Sequence, residues 1–138
     1  MIFTCFAYTG VLADLAAGEL TSATTVDALL ATSGYAFAAG HSLAEVEAFE
    51  LAWGGYLRFE ADSVFTVAAT DGQVHFSDLD PAPVFGPMTT ADWRYLVLVN
   101  HGSGAPYLCL DCGATRSAAA GTLSLLPGAE PYLRLVIG

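Results

Sequence analysis

Short apolar runs separated by turn residues recur along most of this chain, and they predict strands. Ile2 to Tyr8 is aromatic and apolar enough for a first strand. Tyr56 to Ala61 and Ser63 to Ala69 follow the same pattern, and Asp71-Gly72 after them is a type I′ hairpin signal, because this pair tolerates positive φ at both central positions. Gln73 to Phe76 then returns. Tyr95 to Val99 is apolar without interruption, as a strand buried on both faces should be. His101-Gly102-Ser103-Gly104 links it to Tyr107 to Asp111, and Gly113 to Ala118, Thr122 to Leu126 and Tyr132 to Ile137 complete the series. In the last of these, Leu133, Leu135 and Ile137 alternate with Tyr132, Arg134 and Val136.

Two segments read as helix. Thr24 to Ala31 (TTVDALLA) has Thr24 or Thr25 as N-cap and Gly34 beyond its end. Ser42-Leu43-Ala44-Glu45 matches a capping box, opening one or two turns that end before Gly54-Gly55. The prolines between Asp80-Pro81 and Pro87 predict a turn-rich connection, since proline cannot donate to a central ladder. The expected fold is therefore mainly β: a single domain over residues 1–138, an antiparallel β-sandwich or small barrel with one or two short helices inserted near residues 24–50. Its core is expected to hold Leu96, Leu98, Leu133, Leu135 and part of Ile2 to Phe6.

Charge narrows the function. With 138 residues, 14 acidic and 4 basic, the formal net charge is −10. The basic residues are Arg58, Arg94, Arg116 and Arg134, and there is no lysine. Phosphate binding requires cations to replace released counterions, so nucleic acid is not an expected partner. An anionic membrane surface would repel the chain. With 54% hydrophobic residues and a mean hydropathy of +0.53 the composition is far from that of a disordered chain. No apolar stretch reaches 18 residues, and the first residues lack the positive region of a signal peptide. Charged residues make up 13%, against about 25% in ordinary soluble domains. The exterior must then be finished largely by Ala, Gly, Ser, Thr and aromatics, a surface suited to assembly.

Candidate chemistry is sparse. Cys109-Leu110-Asp111-Cys112 is a CxxC, but it falls on a predicted strand and turn rather than at a helix start. With Cys5, it reads as a set of buried structural thiols, with zinc or a disulfide as lesser readings. His41, His75 and His101 are dispersed, without HxxH or HExxH spacing. His101-Gly102-Ser103-Gly104 reads as a hairpin loop rather than an oxyanion loop. Glu60 and Asp62 share a strand face and Asp78 and Asp80 flank a turn, all as solvated surface charge, and no EF-hand spacing is present. No catalytic residue, metal ligand or cofactor is assigned.

One succession of segments carries a resemblance. Phe49-Glu50 and Gly55-Tyr56-Leu57-Arg58 are followed by Asp71-Gly72-Gln73-Val74-His75-Phe76-Ser77-Asp78. Phe85-Gly86-Pro87-Met88-Thr89 and Ala91-Asp92-Trp93-Arg94-Tyr95-Leu96-Val97-Leu98 come next, then Gly113-Ala114-Thr115, Ala120-Gly121-Thr122-Leu123 and Leu133-Arg134-Leu135. Over most of its length the chain resembles small β-sandwich structural proteins of tailed bacteriophages, namely capsid decoration (cement) proteins and related tail-fibre modules. The resemblance implies a virion protein, not an enzyme, on the outer surface of the phage head, present in the host cytoplasm during assembly. Its implied partners are the major capsid protein and itself, as a possible trimer, with no nucleic acid and no membrane. The alternative is a phage tail or fibre component, or an adhesion module; a small hydrolase or carbohydrate-binding domain is a third class without motif support. Interfaces favour aromatic anchors, so Trp53, Tyr56, Trp93 and Tyr132 are the candidate contact residues, with a place in the core as the commoner role of such side chains.

Overall fold

The computed structural model describes residues 4–17, 23–52, 56–67, 73–80, 84–88, 91–118, 121–124 and 133–136. The fold is mainly β and antiparallel, with two short helices. In chain order the elements are β1 (Thr4–Ala7), α1 (Thr9–Ala16), β2 (Ala23–Ala31), α2 (Leu43–Glu47), β3 (Phe59–Val67), β4 (Gln73–Asp80), β5 (Val84–Met88), β6 (Ala91–Asn100), β7 (Pro106–Ala118), β8 (Gly121–Ser124) and β9 (Leu133–Val136). Among the described residues, seven strands form one sheet in the order β1-β7-β6-β2-β3-β4-β9, and β5 pairs with β8 in a second, two-stranded sheet.

The centre of the large sheet is covered on both faces. Val26, Ala28, Leu30, Leu96, Leu98, Leu108 and Leu110 pack on one face with Val11 of α1, Phe85 of β5 and Trp93. Leu29, Ala31, Val97, Val99 and Cys109 pack on the other, beneath Tyr8, Tyr35 and Val46 of α2. Double coverage explains why Tyr95 to Val99 shows no polar alternation. Each buried Leu contributes about 1.5–3 kcal/mol relative to exposure, so these three strands hold much of the stability.

The same coverage overturns one expectation. Thr24 to Ala31 is not a helix but most of β2, paired to β6 from Val26↔Asn100 to Ala31↔Tyr95 and to β3 from Ala23↔Val64 to Ala28↔Phe59. Its Ala and Leu residues favour helix in isolation, but a strand buried on both faces loses the period of two that would identify it. Two ladders of backbone hydrogen bonds and two packed faces then outweigh a propensity difference of a few tenths of a kcal/mol per residue. The inserted helices are α2, as the capping box indicated, and α1, which was not expected. In α2 the Ser42 backbone N–H donates to Glu45 Oε2 at 3.0 Å. In α1 a Cβ on Gly10 would lie 3.0 Å from the Pro106 carbonyl oxygen, so the missing side chain is what lets the helix approach β7.

Other boundaries shift. The paired segments expected at Tyr56–Ala61 and Ser63–Ala69 are one strand, β3, with an irregularity at Val64/Phe65. Tyr107–Asp111 and Gly113–Ala118 are likewise the single strand β7. The proline-rich connection contains β5, where Pro87 is tolerated because a strand of a two-stranded sheet has a side that needs no ladder partner. Asp71-Gly72 lies outside the described residues; the strands flanking it pair antiparallel up to Val67↔Val74. Leu96 and Leu98 are buried as expected, but Phe6 is 37% exposed and stacks on Phe37 instead of entering the core. The side chains of Leu133, Leu135 and residues 2–5 lie outside the described set.

Candidate functional site

The expected contact aromatics separate once they are placed. Trp93 is fully buried against the Val26–Leu30 face, so its ring has no surface to offer a partner. Tyr56 is half-buried and serves the fold. Its hydroxyl donates to Glu50 Oε2 at 2.8 Å and accepts the Leu30 N–H at 3.0 Å. β3 begins at Phe59, opposite Ala28, so Leu30 has no β3 residue beside it; Tyr56 and the Ala31↔Glu50 bridge take that place. Arg58 closes the network, with Nε 2.8 Å from Glu50 Oε2 and Nη2 2.6 Å from Oε1, and this pairing raises the already high Arg58 pKa. Trp53 and Tyr132 lie outside the described residues. The exposed large apolar side chains among the described residues are Phe6, Leu12, Phe49 and Leu57. Phe6 stands on β1, the end strand of the large sheet, whose Thr-Cys-Phe-Ala sequence contains no charge and no proline.

The CxxC does not form a paired site. Cys109 belongs to one core cluster and Cys112 to the cluster on the opposite face, because positions three apart on a strand point in opposite directions. Both thiols are buried, and burial raises their pKa values to about 12 and about 11. The Cys5 side chain is outside the described set.

Behind Cys109 runs a chain of polar groups. The hydroxyls of Tyr8 and Tyr35 share a hydrogen bond of 2.6 Å, and the Tyr35 hydroxyl lies 2.9 Å from His41 Nδ1. His41 Nε2 is 3.8 Å from Glu45. Burial holds both phenols above the usual tyrosine pKa, so they act as neutral hydrogen-bonding groups. His41 also borders a shallow groove of about 280 Å³ between Thr9, Leu43 and the Ser103–Pro106 segment.

The fold assembles a cluster that the sequence did not reveal. Asp27 of β2 and Glu60 of β3 are direct cross-strand partners, and His101 begins the turn after β6. His101 Nδ1 lies 2.9 Å from Asp27 Oδ1 and 3.9 Å from Glu60 Oε2. The His101 backbone N–H donates to the Thr25 carbonyl at 3.1 Å. The turn is braced by Asn100, whose side-chain oxygen accepts the Ser103 N–H at 2.8 Å and whose carbonyl accepts the Gly104 N–H at 2.9 Å. The hydrogen bond to Asp27, then the charges of Asp27 and Glu60, raise the His101 pKa. By sequence Glu60 reads as solvated surface and His101 as part of a loop, because strand order and register, which bring them together, are not local properties of the chain. Asp62, two residues on, accepts the Thr25 hydroxyl at 2.9 Å. The three ligand-type atoms of Asp27, Glu60 and His101 lie within 4.8 Å of one another, and they are the group among the described residues with the donor chemistry to hold a cation. Compared with family models, curated proteins and solved structures, the chain matches none of them.

Proposed function

We propose that this protein is a structural component of a tailed-bacteriophage particle, a decoration protein that binds the outside of the head shell and reinforces it. The observation that carries the reading is the β1 edge. An end strand presents unpaired backbone N–H and C=O groups, and proteins that stay monomeric blunt such edges with charge, proline or a bulge. β1 is only four residues long, which itself limits the edge, but it has neither charge nor proline and it adds a partly exposed Phe6. Exposed Leu12 and Leu57 and the low fraction of charged residues in the chain suit the same role, since apolar surface of this kind favours contact with another protein. The partners in this reading are the major capsid protein and further copies of the chain, closed by symmetry as a trimer.

The test is copy number and edge dependence. A decoration protein of the kind the chain resembles repeats over the whole shell, so its copy number should be comparable with that of the shell protein. Gel densitometry of purified particles should show that abundance. A tail or fibre component would be present in far fewer copies than the shell protein, set by the tail's own symmetry. Phe6→Lys should remove binding to isolated shells while leaving the far-UV circular dichroism unchanged. Unimpaired shell binding by that variant, or a tail-like copy number, refutes the reading.

A further inference from the structure

We infer that Asp27, Glu60 and His101 form a binding site for a divalent ion of the zinc class, one that stands whatever particle the protein joins. The donor positions carry the inference. An ion with bonds of about 2.0–2.2 Å places its ligand atoms roughly 3–4 Å apart. Nδ1 of His101 already stands 2.9 Å from Asp27 Oδ1 and 3.9 Å from Glu60 Oε2. A small rotation of Glu60, the most exposed of the three at 61%, completes the set.

The scaffold holds the donors before an ion arrives. Asp27 and Glu60 sit on adjacent strands in direct register, and His101 is tied to β2 through the Thr25 carbonyl and to its own turn through Asn100. The donors therefore come from three elements fixed by backbone pairing rather than from one mobile loop.

Electrostatics point the same way. Like charges directly opposite on neighbouring strands destabilise a sheet. Asp27 and Glu60 are such a pair in a chain with no lysine. Arg58 is committed to Glu50 and Glu47, and Arg94 to Asp111. Among the described residues the cationic group paired with them is the imidazole, whose Nδ1–H donates to Asp27. A metal ion takes the place of that proton: the lone pair of Nδ1 and one oxygen from each carboxylate bind the ion, and the proton leaves to solvent.

The donor set selects the metal. One imidazole nitrogen and two carboxylate oxygens suit Zn²⁺, whereas Ca²⁺ takes oxygen ligands in larger number. His101 is half-exposed, so a water molecule completes the tetrahedron from the solvent side.

Isothermal titration of the full chain with ZnCl₂, in a non-thiol reductant, tests the site. One zinc ion should bind per chain. Asp27→Asn and His101→Ala should each weaken it roughly tenfold or more, and CaCl₂ should bind at least about tenfold more weakly than zinc. His41→Ala and Cys112→Ser should bind zinc like the parent chain. Zinc should raise the melting temperature of the parent and leave that of His101→Ala unmoved. Should either variant fail to fold, Glu60→Gln at the exposed ligand carries the same expectation. Absence of saturable binding below millimolar zinc overturns the inference. So does an ion held equally well by the parent and the ligand variants, which would place it elsewhere.

Discussion

Arg94 holds Asp111 through two hydrogen bonds, Nε to Oδ1 at 2.9 Å and Nη2 to Oδ2 at 3.1 Å, where the register of β6 and β7 breaks. Pairing jumps there from Trp93↔Arg116 to Tyr95↔Asp111, and the Gly113 N–H donates to Asp111 Oδ1 at 2.8 Å. Arg94, and then the Gly113 N–H, hold the Asp111 carboxyl below its ordinary pKa. A lowered native pKa means that the ionised carboxylate stabilises the fold. That contribution is complete above the unfolded value of about 3.9 and disappears as pH falls through the lower native one. Urea midpoints measured from neutral pH down to about pH 2.5 should therefore drop less steeply for Asp111→Asn than for the parent chain. Equal slopes would remove Asp111 from the acid limb.

Gly113 takes φ +79° in that same irregular stretch, and a Cβ there would meet nothing within 4 Å. The cost of Gly113→Ala is thus conformational rather than steric. It should destabilise the protein by about 1 kcal/mol, and Gly113→Asn by less, because Asn tolerates the left-handed region. Chemical denaturation of the pair of variants measures both values; an unchanged midpoint for Gly113→Ala would contradict the strain argument.

Trp93 is fully buried, and its Nε1–H has no acceptor among the described residues. A buried donor without a partner costs about 1–3 kcal/mol, which offsets part of what the ring contributes by packing. Trp93→Phe removes the donor and keeps most of the ring, so it should stay within about 1 kcal/mol of the parent. Trp93→Ala should cost about 3–5 kcal/mol through the cavity it leaves. A loss for Trp93→Phe well above about 1 kcal/mol would contradict the unpaired indole N–H.

Cys109 and Cys112, on opposite faces and with pKa values raised by burial, should resist a thiol reagent in the native state and react on addition of denaturant. The raised values also make stability fall as pH climbs above about 8.5, where unfolded thiols ionise and native ones stay protonated. Cys109→Ser and Cys112→Ser should lose modest stability and keep the fold. Fast labelling of the native protein would show the thiols to be accessible.

The parts of this fold that can be read locally are those whose signals are local. Ser42 and Glu45 close a capping box within four residues, and Tyr95 to Val99 announces burial by composition alone. β2 is opaque for the opposite reason. Val26, Ala28 and Leu30 face one core while Leu29 and Ala31 face the other, and its strand identity is imposed by β6 and β3. The Asp27–Glu60–His101 cluster inherits this opacity. The i, i+2 spacing of Glu60 and Asp62 indicates a shared face, but which strand lies opposite is a property of topology. Phe6 and Trp93 show the same limit for single aromatics, which composition cannot sort into exposed and buried.

The place of β2 between β6 and β3 also bears on how the chain is made. Asp27 and His101 are 74 positions apart, yet they sit side by side. When β2 leaves the ribosome neither of its neighbours exists, and the ladder to β6 waits until about Asn100 has been synthesised. Closing so long a loop slows folding more than it weakens the finished sheet. β3 can pair with one edge of this apolar strand once Val64 has been made, but the other edge stays open until β6 follows, so the nascent chain, rather than the folded protein, is the form most exposed to chaperones and to aggregation.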